Sequence, residues 1–564
     1  MLIEALSTAR DLGRVQEIAA VLLRHGLGDL VRRLGLADAL ARAGQVLHHP
    51  QADELARLEP PVQVRLAFEE LGPTFVKLGQ ILAGRGDLLG PDWVAEFSRL
   101  HSHVPPVPGE ALRAQLVQDL GAEPEAVFAR FDTEPLAAAS IAQVHRARLH
   151  DGTEVVVKVR RPGIEDIIAA DLRLLERAAV VAEREWPSLQ PYRPRQLVQQ
   201  FARSLQRELD LATECRNAER IAVNLASLPH VQIPRVHWSW TGKRVNVQDY
   251  IEGVHGGDLA AIAAAGLDPR LLAERGAQAV MKMIVVDGFF HADPHPGNVF
   301  YLPGNRLAFI DFGMVGRLSA RRRDELLDLL LGLVERQPQA VADVLLAWTG
   351  NAPGADLSQL EDDIEAFVDQ HHGTPLAGLR LGEMMGEVTR VLREHRLALP
   401  ADLALLIKSF VSLESMGRQL DPGFHMAAQA QPLLRQALHA RWQPDALARK
   451  GWQGARELFG GLGRLPHELG RMLRHLGRGH VQVGIEVAHL QRVSGQLDRA
   501  ASRLSVALII AALIVGSSIV MTVGGGPTLW GLPAFGLAGF VGACGGALWL
   551  LRSIRRAGRE RVRD

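Results

Sequence analysis

Residues 291–313 read HADPHPGNVFYLPGNRLAFIDFG, and their spacing decides the fold. Asp293 is followed five residues later by Asn298 and then, across an apolar run, by Asp311-Phe312-Gly313. Val299-Phe300-Tyr301 and Leu307-Ala308-Phe309-Ile310 have the β-rich character of two short strands. The pattern supplies one carboxylate beside an attacking group. It also supplies an amide and a second carboxylate to hold Mg²⁺ against phosphates. A single surface Asp or Asn carries no such meaning, but matches in register do.

The order H-x-D-x-x-x-x-N, then D-F-G, is that of a kinase catalytic loop and its metal-binding segment. Such a site also requires a strand lysine paired with a helix Glu. Val155-Val156-Val157-Lys158-Val159 follows the Asp151-Gly152 turn and reads as a buried strand. A lysine there needs a partner, because burial disfavours its charged form. The helical stretch from Glu208 to Asn217 carries Glu208, Asp210 and Glu214, with Asp210 and Glu214 four apart on one face. Glu214 is the expected partner of Lys158, and Glu208 with Asp210 an acidic cluster near the metal. No G-x-G-x-x-G precedes the lysine strand. Ala137-Ala138-Ala139-Ser140 stands in its place. Alanine lets backbone N–H groups approach phosphate but lacks glycine's φ freedom, which predicts a different nucleotide pose. By composition alone this segment reads as an Ala-rich helix or turn.

The length of 564 residues allows two or three domains with a sizeable core. Formal charge is zero, so bulk electrostatics gives no reason to expect a nucleic-acid partner. Cys215 and Cys544 are too few for a disulfide framework or a cysteine zinc site. Only six of the 63 basic residues are lysines (77, 158, 243, 282, 408 and 450), an Arg bias typical of a GC-rich bacterial genome. The lysines that remain draw attention, because arginine cannot replace a compact ammonium at every site. Glu4, Asp11 and Glu17 argue against a secretory or transit peptide.

Outward from the catalytic segment, residues 1–120 read as a helical extension, 121–253 as a mixed lobe and 254–440 as a helix-dominated lobe. Residues 441–503 form a connector in which Arg464, Arg471, Arg474 and Arg478 alternate with leucines, suited to anionic lipid or to solvent. Leu504–Val523 and Leu529–Leu551 are uncharged runs of 20 and 23 residues. Each is long enough to cross a hydrocarbon core of ~30 Å. Gly524-Gly525-Gly526-Pro527 separates them, arginines flank both, and Trp530 and Trp549 sit near the ends of the second. The expectation over 504–551 is a transmembrane hairpin with cytoplasmic flanks and a basic tail at 552–564.

These motifs together resemble the UbiB (AarF/ADCK) family of atypical protein-kinase-like proteins. The resemblance rests on the A-rich loop, Val155–Gly163 with Lys158, Glu208-Leu209-Asp210 with Glu214, HADPHPGN, DFGMVG, and Lys77-Leu78-Gly79-Gln80, and it covers about residues 65–440. It implies an α+β, two-lobed kinase-like fold in which Lys77 and Gln80 lie over the active site, face nucleotide and gate it with Glu208 and Asp210. Read on its own, that helix places Phe75, Leu78 and Leu82 on one face and Lys77, Gln80 and Gly84 on another. The implied cofactors are ATP or ADP and Mg²⁺. Lys158 would contact phosphates, Glu214 orient it, Asp293 act as base, and Asn298 and Asp311 ligate the metal. The implied activity is that of an ATPase or atypical kinase supporting ubiquinone biosynthesis at the bacterial inner membrane. Quinone-precursor lipids or quinone-biosynthetic enzymes would be its partners. A true protein kinase and a nucleotide-binding scaffold are the rivals, with a metal hydrolase built on His291, Asp293 and His295 a third. Gly86 and Gln248-Asp249-Tyr250 depart from the family's usual proline and hinge.

Overall fold

In the computed structural model, which describes residues 9–34, 55, 57–100, 105–335, 337–349, 357–370, 380–429, 528–529 and 532–533, helices come first and the first strand begins at Phe128. The helices are α1 (Ala9–Arg24), α2 (Gly28–Arg33), α3 (Pro60–Leu71), α4 (Pro73–Ala83), α5 (Pro91–Ser98), α6 (Gly109–Leu120) and α7 (Pro124–Val127). Several start with proline at the first turn, where its missing N–H costs nothing. Strands β1 (Phe128–Phe131), β2 (Ala137–Ala138), β3 (Ala142–Leu149), β4 (Glu154–Arg160) and, further on, β6 (Val245–Asp249) make an antiparallel sheet in the order β1–β3–β4–β6, with β2 on β3.

Strand period two explains how β4 carries a lysine. Val155, Val157 and Val159 are fully buried against Leu112 and Leu116 of α6, while Val156 and Lys158 face the other way. The strand is therefore buried on one face only, not on both as its unbroken apolar run suggests. Each inward valine contributes roughly 1.5–3 kcal/mol.

Helices α8 (Ile164–Glu185), α9 (Pro194–Glu208) and α10 (Leu211–Asn224) pass from the sheet to β5 (Val231–Gln232). After β6 come β7 (Val254–His255), α11 (Leu259–Ala264), α12 (Pro269–Met281), a π-helical turn at Lys282–Asp287, and β8 (Phe289–His291). The expected strands of the catalytic segment form as β9 (Val299–Leu302) and β10 (Arg306–Phe309), an antiparallel pair in the sheet β5–β10–β9–β7. β11 (Val315–Arg317) pairs with β8, which ties the DFG segment to the strand entering the catalytic loop. Helices α13 (Ala320–Glu335), α14 (Pro338–Thr349), α15 (Leu357–Gln370), α16 (Leu381–Glu394) and α17 (Ala401–Leu420) follow, and their apolar faces bury Phe289, Phe290 and Phe309 in the largest core.

The turn after α4 braces these parts. Arg85 and Asp87 form a buried two-pronged ion pair at 2.7 and 2.8 Å. Arg85 also donates to Leu399 O at 3.0 Å, and Asp87 accepts from Leu399 N–H at 2.8 Å. Arg393 of α16 donates to the carbonyls of Gly86 and Leu89. The N-terminal extension is thus pinned to the segment entering α17.

Residues 441–503 and 552–564 lie outside the described residues, as does nearly all of 504–551. Among the described residues no helix is long and apolar enough to cross a membrane. Thr528–Leu529 (β12) pairs with Leu532–Pro533 (β13) as an antiparallel ribbon, so the second uncharged run does not begin as a helix at Leu529. Pro533, which lacks an amide hydrogen, is a poor residue for a helix interior.

Asp87→Ala leaves the Arg85 guanidinium buried without its carboxylate. The expected loss is about 3–5 kcal/mol, read as a lower midpoint in chemical denaturation, while replacing both partners by apolar residues should cost less. An unchanged midpoint in Asp87→Ala would show that the turn is not a brace.

Candidate active site

A cavity of about 1320 Å³ opens between α4, the A-rich turn, the catalytic loop and α16–α17. Lys77, Gln80, Ala139, Ser140, Glu208, Asp293, Asn298, Asp311 and Lys408 are among its lining residues. Pockets for small ligands typically measure ~300–1000 Å³, so a nucleotide does not fill it.

Lys158 donates to both carboxylate oxygens of Glu214 on α10, at 2.8 and 3.0 Å, and stands 3.6 Å from Asp311 Oδ1. Burial works against the ammonium, but Asp311 and Glu214 outweigh it and Lys158 stays protonated. Burial pushes Glu214 up to about 7, Lys158 opposes this, and Asp311 adds to it. Asp311 is held down at about 2, chiefly by Lys158. Its backbone adopts φ +57°, a left-handed conformation uncommon outside glycine, and its Oδ1 accepts from Gly313 N–H. That conformation turns the carboxylate into the cavity.

In the catalytic loop, Asn298 donates its side-chain N–H to Asp293 O at 3.2 Å, which leaves its amide oxygen for a ligand. With the Asp311 carboxylate it forms a small, hard-oxygen set. Two protein oxygens supplemented by phosphates and water suit Mg²⁺, so the residues fit the implied cation. Asp293 is paired with Lys408 of α17 at 3.0 Å. Burial would raise the Asp293 pKa, but Lys408 and His295 outweigh it and hold it below the ordinary value. His291 is fully buried and its pKa is lowered by burial. Its Nδ1 accepts from Asp293 N–H, so its Nε2 carries the proton and donates to Ile310 O. His295 Nδ1 accepts from Gly297 N–H. Both imidazoles thus shape the loop, and the H-x-D-x-H alternation does not converge as a metal-hydrolase centre. Asn217 donates to Phe312 O and steadies the segment from α10.

Helix α4 covers the cavity. Lys77 donates to Glu208 Oε1 at 2.6 Å, and both residues are largely shielded from solvent. Gln80 donates to Leu100 O at 3.2 Å. The buried face differs from the helical-wheel expectation: Thr74, Phe75, Val76 and Gly79 are inside, whereas Leu78 and Leu82 are half-buried. Leu100 presses on Gly79 so closely that a Cβ there would meet its Cδ1 at 2.2 Å, so the packing face turns toward that glycine.

Two further expectations are corrected. The A-rich segment is neither helix nor free loop. Ala137 and Ala138 form β2 against Val144 and Gln143, and only Ala139 and Ser140 reach the cavity. The ladder to β3 overrides alanine's helical preference. Asp210 does not join Glu208 at the gate. It caps α10, accepting from Ala212 N–H and the Thr213 hydroxyl, because a carboxylate preceding a helix satisfies its free amides.

Two contributors were not assigned from sequence. Lys408 stood among the six lysines, but its helix lies far from the catalytic loop in the chain. Arg161 donates to Ala139 O and Pro105 O, tying the A-rich turn to the segment ahead of α6. Its place directly after the lysine strand gave no chemical signal.

A sheet bearing a glutamate-paired lysine, above a catalytic loop and DFG segment, defines a protein-kinase-like α+β protein. The ABC1 atypical kinase-like domain matches residues 99–345, the UbiB helical domain 364–425, and the ABC1/UbiB kinase-like C-terminal domain 488–556. The chain belongs to the ABC1/UbiB family of atypical kinase-like proteins. It is 33% identical to the "Probable protein kinase UbiB" of Marinobacter nauticus, covering 86% of this chain and 89% of that one. The protein of the same name from Azotobacter vinelandii is 34% identical over 82% and 86%. That from Xanthomonas campestris pv. campestris strain B100 is 31% identical over 96% and 99%. A solved structure of Rv3197 with erythromycin, from Mycobacterium tuberculosis, is 26% identical over 62% of this chain and 90% of that one. Its TM-score of 0.44 is too low to bear on the fold.

Burial of Glu214, opposed by Lys158, makes stability depend on pH. Glu214 is raised from 4.5 to about 7 in the fold, so the folded chain keeps a proton that the unfolded chain releases. Stability therefore falls as pH rises through that window. Removing the lysine charge pushes Glu214 higher still. Lys158→Met should lose more thermal stability relative to wild type at about pH 8.5 than at about pH 6, and adding Glu214→Gln should remove the difference. A gap independent of pH would mean that the pair is not coupled.

Proposed function

We propose that the chain binds Mg–ATP and acts as an ATPase or small-molecule kinase at a bacterial inner membrane, in support of ubiquinone biosynthesis. The observation that carries this reading is the convergence of Lys158, Glu214 and Asp311 behind one cavity that Asp293 and Asn298 also line. Lys158 would contact the α- and β-phosphates, oriented by Glu214. Asn298 and Asp311 would hold Mg²⁺, which neutralises charge on the phosphate oxygens. Asp293 would orient the attacking oxygen and accept its proton. Ser140 would approach the phosphates from the turn that Arg161 fixes, because the Ala139 N–H is already donated to Ala142 O.

Helix α4 favours a small acceptor over a protein. Its Lys77 is paired with Glu208 at the cavity wall and its Gln80 is tied to Leu100, which keeps the helix packed over the site. Quinone biosynthesis comes from family membership. The membrane site, with anionic lipid, quinone-precursor lipids or the enzymes that process them as partners, comes from the two uncharged runs and their arginine flanks.

Phosphate release by the full-length protein tests the chemistry. Asp293→Asn should keep nucleotide binding and lower turnover by about 10²–10⁴-fold. Asp311→Asn should abolish the Mg²⁺ dependence of binding. Wild-type turnover in Asp293→Asn would remove Asp293 from the reaction. Normal ubiquinone in a strain deleted for the gene would end the pathway assignment.

A further inference from the structure

Lys408 reaches the site from α17, within the match to the helical domain and outside the kinase-like match. Its ammonium is 3.0 Å from Asp293 Oδ1 and lines the cavity beside Asn298 and Asp311. The position is built rather than accidental. Ser409, the next residue, is fully buried and donates its hydroxyl to His291 O at 3.1 Å, so α17 is bonded to the catalytic loop. The Arg85–Asp87 brace fixes Leu399 at the entrance to the same helix. The lysine's stem runs along Gly84, where an added Cβ would lie 3.4 Å from its Cδ.

The other two ammonium groups near the cavity have different places. Lys158 is held by Glu214 beside Asp311, and Lys77 by Glu208 at the cover. Lys408 is the cation paired with the carboxylate proposed to attend the attacking oxygen. Charge spreads over the three equatorial oxygens of the transferred phosphoryl group in the transition state, and a cation fixed there lowers the barrier.

We infer that Lys408 binds the terminal phosphate of ATP, exchanging its pairing with Asp293 for the γ-phosphoryl oxygens when nucleotide enters. In the step it serves, the bond between the γ-phosphorus and the β–γ bridging oxygen breaks. A bond to the attacking oxygen of water or an alcohol forms, the proton of that oxygen passes to Asp293, and ADP leaves. The helical domain thereby supplies part of the active site instead of only supporting it.

The inference rests on the proposed binding of nucleotide, and one experiment separates the two. Calorimetric titration of full-length wild type, Lys408→Ala and Lys408→Arg with Mg–ATP and with Mg–ADP is the measurement. In Lys408→Ala, affinity for Mg–ATP should fall by about tenfold or more, the scale of a lost charge-assisted hydrogen bond, while Mg–ADP changes by less than about twofold. Lys408→Arg should recover part of the difference. The retained ADP binding shows that the variant is folded. Equal losses for both nucleotides, or none for either, overturn the role of Lys408 and leave nucleotide binding standing. A wild-type chain that binds neither nucleotide overturns both.

Discussion

Pairing of opposite charges around the cavity governs the site. Lys77, Lys158 and Lys408 face Glu208, Glu214, Asp293 and Asp311, three ammonium groups among four carboxyl groups. Each lysine is drawn from a different part of the chain: the helical extension, the sheet and the last long helix. Glu214 is buried and Asp311 is half exposed, so the pairing matters most at Lys158 and Glu214, where an ion left without its counterpart is costly. Half of the chain's six lysines are spent here, whereas arginine serves nearly everywhere else. A slender ammonium fits beside a carboxylate at the cavity wall, where a planar guanidinium would crowd it.

How much of this was legible in the sequence depended on distance along the chain. Asp293, Asn298 and Asp311 lie on one short loop and hairpin, so spacing alone placed them together. Lys158 was legible because a lysine amid valines must find a counter-charge, and Glu214, the less obvious partner, only as one of the acids clustered between Glu208 and Asn217. Asp210 carried a signal that was misread: an Asp just ahead of a helix start is a cap before it is a gate. Lys408 carried only its rarity as one of six lysines, since it meets its partner Asp293 only when α17 packs on the catalytic loop. The A-rich segment shows the reverse case, in which local propensity pointed to helix and pairing with β3 decided otherwise.

The boundaries of the matched domains do not coincide with those of the site. A chain cut to residues 99–345 would lose Lys77 and Lys408 and keep all four carboxyl groups with Lys158 alone. It would also lose the Arg85–Asp87 brace and the Ser409 bond to the loop. The extension and the helical domain are therefore electrostatic parts of the centre, not appendages to a self-sufficient kinase-like core.

Gly79 limits how the cover over the cavity moves. Leu100 sits where only a glycine leaves room, and Phe68 of α3 lies 3.1 Å from the same point. Sliding α4 along its axis by one turn would bring the side chain of Phe75, Val76, Leu82 or Ala83 into that space. Axial sliding is thus sterically barred, as a keyed shaft is locked against its collar. The contact at Gly79 therefore ties α4 to Phe68 of α3 and to Leu100 just after α5, so the three helices are held as one packed unit over this side of the cavity.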